Sequence, residues 1–325
     1  MGLPHRIGAV LFALAMLCAG CTDYGGDLSG GAARSGGDGN TVTVSETAGM
    51  PSAFLGYGVR RGFFADEGID LRVDASTGGA TVVPALLSED IDIAGSNVVS
   101  AMIAMGRRMP VQMVAAGTSA AQRSEQDFST LMVPAHSQIN RAEDLAGTRI
   151  GVNSLQNIND VVVYSALRDR GVNIETVEFV EMPLPDLPAA IERGDVDAGL
   201  LIEPFGTIGR NQGLREVLRP YTELRPGLQI GTYLMTSDRV ADDPELVRAF
   251  QRGVQRTADA IRDDPDAFRA ELPELSSLDA ELAEQAPLPE WRGRTDRASI
   301  ELIHRAMREF GLTEAELDYP EAVLR

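Results

Sequence analysis

The residues best suited to chemistry in this chain are small neutral hydrogen-bonding groups, set where apolar strand-like runs give way to helical stretches. Thr77-Gly78-Gly79, Ser96-Asn97 and the series Ser154, Asn157, Asn159 all stand at such junctions. In α/β sheets ligands bind beyond the carboxyl ends of the strands, where loops enter helix N-termini. Glycines at Gly78 and Gly79 would let backbone N–H groups approach an anion, helped by the helix dipole. The Ser and Asn residues would either contact a ligand or serve as helix N-caps. The Ala48–Ser52 loop, with Ser52 at its end and Tyr57 behind it, would form a wall of the same site. Glu203 ends an apolar run, where a carboxylate needs a partner: a ligand amine or a structural Arg. With no Arg at these junctions, both a small anion held by N–H donors and an uncharged heterocycle remain open.

Absences exclude several chemistries. The chain has no Lys, so all 29 basic residues are Arg. A phosphate-binding P-loop, a pyridoxal Schiff base and a kinase site each need a Lys. His136 and His304 lie far apart and read as surface residues, and the only cysteines are Cys18 and Cys21. No metal-ligand spacing and no cofactor motif follow. Gly-x-Ser-x-Gly is missing as well. The paired acids Asp90-x-Asp92 and Asp195-x-Asp197 stand directly before apolar strand-like runs, so they read as polar turns entering buried strands, not as a catalytic dyad. We read no catalytic residue; the chain is expected to bind, not to catalyse.

The elements that would position these residues alternate. Val42–Val44, Ile69–Ala75, Ile91–Ala94 and Val111–Ala116 are strand-like, with helical stretches at 52–64, 80–87 and 98–106 between them. A second series has strands at 150–152, 177–181 and 198–202 and helices at 160–170, 185–193 and 205–212. The series resemble each other: Pro84-Ala85-Leu86-Leu87…Asp90-Ile91-Asp92-Ile93-Ala94-Gly95 matches Pro188-Ala189-Ala190-Ile191…Asp195-Val196-Asp197-Ala198-Gly199. A duplicated α/β lobe with a parallel-rich sheet is predicted. Ser129–Val133 and Gly231–Thr236 are predicted to cross between the lobes, making a two-strand hinge. Lobe 1 is then discontinuous, 41–130 plus 236–325, and lobe 2 is 131–235. Helical spacing recurs at 248–262 and 296–310, with Trp291 pinning the loop between them.

At the N-terminus, Arg6 precedes an apolar run from Ile7 to Leu17 that ends in Ala19-Gly20-Cys21. Residues 1–20 read as a signal peptide, with Cys21 as the lipidated residue of a lipobox in which Cys18 replaces the usual Leu. Residues 21–40, rich in Gly and Ser, bury too little to order themselves and read as a tether with a reach of about 25 Å. With 44% hydrophobic residues the remainder can build a sizeable core. A formal charge of −19 argues against nucleic-acid binding.

Gly62-Phe63-Phe64-Ala65-Asp66-Glu67-Gly68-Ile69-Asp70, Leu145-Ala146-Gly147-Thr148-Arg149-Ile150, Gly194-Asp195-Val196-Asp197-Ala198 and Glu203-Pro204-Phe205, in that order, resemble the sulfonate, nitrate, taurine and thiamine-pyrimidine branch of periplasmic binding proteins. The resemblance covers residues 41 to about 237. It implies a two-lobed type II binding-protein fold of two Rossmann-like lobes. It further implies that a small-molecule solute is handed to an ABC permease, and with the signal peptide and lipobox the chain reads as an exported, membrane-anchored, monomeric receptor. Two alternatives stand beside it. A sensor lipoprotein would lack an importer, and a pyrimidine-precursor synthase of this fold would use Lys, His and Cys residues that are missing here.

Overall fold

The computed structural model describes residues 41–76, 82–276 and 278–319. Thr77, Gly78, Gly79 and Cys21, with the signal-peptide and tether readings, lie outside the described residues. The first sheet takes β1 (Thr41–Thr47), β2 (Asp70–Ser76), β3 (Ile93–Asn97) and β4 (Val111–Ala116). The second takes β5 (Ser129–Val133), β6 (Arg149–Val152), β7 (Glu178–Glu181), β8 (Ala198–Ile202) and β9 (Arg215–Leu218), and β10 (Gly231–Thr236) returns to the first.

The strand orders are β2-β1-β3-β10-β4 and β7-β6-β8-β5-β9. In both, three parallel strands are followed by an antiparallel one. The internal likeness of the sequence is therefore a likeness of topology. It extends to the acidic pairs: Asp92 accepts the Thr43 amide at 2.9 Å, and Asp197 accepts the Arg149 amide at 2.8 Å. Each aspartate pins the start of a neighbouring strand, β1 or β6, as a polar-turn residue does.

The predicted crossings differ from the observed ones. β5 lies between β8 and β9, and β10 between β3 and β4. Their residues are buried except at Thr236, which is what an inner strand needs, not what a hinge exposed to water needs. The chain crosses in the flanking segments 117–128 and 219–230 instead. These segments bond to each other through Ala120 N to Leu228 O at 2.8 Å and Ile230 N to Thr118 O at 2.9 Å. A third segment joins at Ser119 and Glu290, which exchange backbone bonds of 2.7 and 2.9 Å.

The first sheet carries α1 (Met50–Arg60), α2 (Val82–Leu87) and α3 (Val98–Gly106). The second carries α4 (Ile158–Asp169), α5 (Leu187–Arg193), α6 (Phe205–Asn211) and α7 (Pro220–Leu224). After β10 come α8 (Ser237–Asp242), α9 (Pro244–Asp263), α10 (Pro265–Ser276), α11 (Ala280–Gln285) and α12 (Arg297–Glu309). In α9, Leu246, Phe250, Val254, Ala258 and Ile261 recur every three or four residues and are all buried, with Asp243 capping its start. That stripe packs with Val42, Val44, Phe54 and Tyr233 on one face of the first sheet. Trp291 stacks on Phe54 at 4.8 Å, so it does pin its loop to the body. Burying each such side chain stabilises the fold by about 1.5–3 kcal/mol. The opposite face packs α3 and α12 together with Ile158, Val161 and Val162 of α4, so one apolar cluster joins both sheets.

Candidate functional site

Helices α1, α3, α4 and α6 begin at the carboxyl ends of the parallel strands β1, β3, β6 and β8. Asn97 caps α3: its Oδ1 accepts the Ser100 amide at 2.9 Å, and its Nδ2 donates to Ser100 Oγ at 3.2 Å. Ser100 Oγ in turn donates to Asn157 Oδ1 at 3.4 Å, from the first sheet's helix to the second's. Asn157 caps α4, accepting the Ile158 amide at 2.7 Å. Two helix N-termini, each with a partial positive charge, thus meet where the two sheets' helices touch.

Beneath Asn157 lies Asp160, whose carboxylate accepts the Asn157 and Val161 amides at 2.8 Å and also the Gln156 amide. Gln156 has φ 53°, so this bonding holds a left-handed residue in place on the loop. Burial outweighs those bonds and pushes the Asp160 pKa up to about 6. Asn159 is buried too: its Nδ2 donates to Asn153 Oδ1, and its Oδ1 accepts the Tyr221 hydroxyl. It fastens the loop to α7.

The remaining expected residues divide. Ser96 is buried in β3 opposite Thr232. Ser154 is half-exposed on the β6–α4 loop beside the exposed Leu155. Ser52 Oγ donates to Gly49 O at 3.1 Å in the first turn of α1. No side chain caps α1 itself, and Gly49 stands there with φ 106°. Tyr57 does not form the wall expected of it. It lies two turns further along α1, buried edge-on to Phe268 of α10 with Arg61 over its ring at 4.7 Å. Glu203 takes the second of its two readings, the structural Arg: its side chain is 1% exposed, accepting the Thr207 amide at 2.9 Å and Arg210 Nη2 at 2.5 Å. The carboxylate faces its own helix α6, because the next residues turn straight into that helix.

One group escaped the sequence reading. Glu46, near the end of β1, is 6% exposed, and its carboxyl lies where a Cβ on Gly95 would come within 2.4 Å. It accepts the Thr47 amide at 2.6 Å and bonds the Tyr233 hydroxyl. Burial is the main reason its pKa is pushed up to about 7. Alternation from Val42 and Val44 places Glu46 on the buried face, a signal present in the sequence. Ser100, too, had a signal, standing three residues after the cap Asn97.

A family model described as NMT1/THI5 like matches residues 52–268. The chain belongs to that family. A taurine-binding periplasmic protein of Escherichia coli (strain K12) is 24% identical over 204 residues, which cover 62% of this chain and 60% of that one. The crystal structure of the periplasmic aliphatic sulphonate binding protein SsuA from Escherichia coli matches with TM-score 0.71 at 15% identity, covering 88% of this chain and 92% of that one. The fold is therefore that of the periplasmic binding proteins. A desulfurization enzyme, DSZB, shares it with TM-score 0.62 at 18% identity, covering 87% of this chain and 96% of that one. Function has to be argued from the site.

Proposed function

We propose that this member of the NMT1/THI5-like family is a solute-binding protein that captures a small polar molecule between its two lobes and delivers it to an ABC importer. The observation that carries the reading is the meeting of the capped N-termini of α3 and α4 at Ser100 and Asn157, beside the N-terminus of α1, which no side chain caps. Neutral donors from both lobes would share one ligand, so closure would be selected by the ligand itself. The names of the taurine- and sulfonate-binding relatives support a small sulfonate-, taurine- or nitrate-like anion; an aminopyrimidine-like heterocycle is the second ligand class. The two lobes would rotate about the crossings at 117–128 and 219–230. Export to the periplasmic side, anchoring through a lipid on Cys21 and a monomeric state complete the reading.

A thermal-shift screen of the protein against taurine, alkylsulfonates, nitrate and aminopyrimidines tests it. A ligand at a hundredfold excess over Kd adds about 2.7 kcal/mol, a shift of several degrees. At the same ligand concentration the shift should fall to about half or less in Asn157→Ala. A folded protein that no member of the panel stabilises would move the reading to a sensor without an importer.

A further inference from the structure

A second cavity lies apart from the α3–α4 meeting point, beside the hinge. It has a volume of about 660 Å³, within the range of small-molecule sites. Gln122 of the first crossing forms one side, Arg269 of α10 and Gln285 of α11 another, and Pro265, Leu288 and Trp291 supply apolar surface. None of the residues assigned to the cleft lines it.

Trp291 is 92% buried and lines the cavity with apolar ring surface. One group of the lining wants a ligand. Arg269 spends one nitrogen, Nη1, on the Ala283 and Ala286 carbonyls at 2.8 and 2.7 Å. No carboxylate pairs with it among the described residues, and Glu203, Asp266 and Glu284 act on it only at longer range. Burial lowers its pKa, the mark of a guanidinium held partly out of water. The other charged groups on the lining are already engaged or lie at the rim. Glu290 accepts the Gln122 amide and Nε2 at 3.2 and 3.1 Å, Arg262 pairs with Asp259 at 2.8 Å, and Glu125 is exposed.

We propose that this cavity is a second ligand site, independent of the cleft, which takes a small organic monoanion with its acidic head at Arg269 and its apolar body against Leu288 and Trp291. Glu125 and Glu290 disfavour a second negative charge.

Trp291 is the only tryptophan of the chain, so its fluorescence reports the site directly. The probes are hexanoate and 1-hexanesulfonate, with methanesulfonate lacking the body and hexylammonium lacking the anion. Both hexyl anions should change the emission saturably in the millimolar range or below, and the two controls should not. Arg269→Gln should weaken binding about tenfold or more, as loss of a charge-assisted hydrogen bond does. Since Arg269 also holds the end of α11, Pro265→Phe provides a second variant. It fills the cavity from an exposed rim position and should abolish the response. Asn157→Ala should leave the response intact, whereas Pro265→Phe should leave the thermal shift by a cleft ligand intact, so each site can fail alone. The proposal is overturned by a folded protein without a saturable response, or by an equal response to hexylammonium. It is also overturned if the response survives both cavity variants, or if Asn157→Ala removes it.

Discussion

Glu46 shows how one residue sets a property of the whole protein. Its folded pKa of about 7 stands above the ordinary 4.5, so the folded chain holds a proton that the unfolded chain has released. The stability this gives is fully present below about pH 4.5, declines as pH rises and is lost through about pH 7. Asp160, raised from 3.8 to about 6, adds the same trend over a lower window. Glu46→Gln keeps the shape and removes the ionisation. It should raise stability at pH 8 by on the order of 2–3 kcal/mol and change it little at pH 4, read from denaturant midpoints at the two pH values. Removing the Glu203 side chain should destabilise the protein. Glu203→Ala strips Arg210 and the Thr207 amide of their acceptor and should cost about 1–3 kcal/mol in urea titrations. A ligand hit should survive it if Glu203 only locks α6.

At the scale of elements, packing between α1 and α9 is tight where glycine permits it. A Cβ on Gly58 would meet Thr257 Oγ1 at 2.2 Å and the Phe64 ring at 2.7 Å. Gly58→Ala should therefore destabilise the protein by about 1–3 kcal/mol, despite alanine's better helix propensity, and a lowered thermal midpoint would show it. Elements like these were largely legible, because their apolar periodicity is a local property. Strands β4 and β8 and helix α3 fall where the pattern places them. The short β9 and α7 were missed, since four or five residues carry too little period to register. The site was less legible. Caps such as Asn97 and Asn157 can be anticipated from a neighbouring helix start, but whether their partner is a ligand or their own helix cannot. Asn159 and Tyr221 stand 62 residues apart, so no local pattern announces that their side chains bond. The misplacement of the crossings at β5 and β10 has the same origin. An apolar run declares a buried strand, but not which sheet receives it.

For the whole molecule, the lobes are joined by more than the hinge. On one side Tyr164 of α4 donates to Glu309 O at 3.2 Å and packs on Phe310 at 4.6 Å, while Arg168 pairs with Glu309. On the other, Asn211 of α6 meets Gln285 of α11 at 3.3 Å. These contacts tie the lobes together beyond the hinge, so removing them should loosen the arrangement. Tyr164→Ala combined with Arg168→Ala should enlarge the radius of gyration of the unliganded protein in solution scattering and weaken ligand binding several-fold, the deficit being the population that must close again. Equal radii and equal affinity would mean that α4 and α12 part without consequence. The central claim, that a solute is held between the two lobes, is tested most directly by calorimetric titration of the best stabilising solute into the wild-type protein and Asn157→Ala. The account predicts one saturable site in the wild type and a loss of about tenfold or more in the variant. Undiminished affinity in a folded Asn157→Ala would contradict it and move the solute out of the cleft.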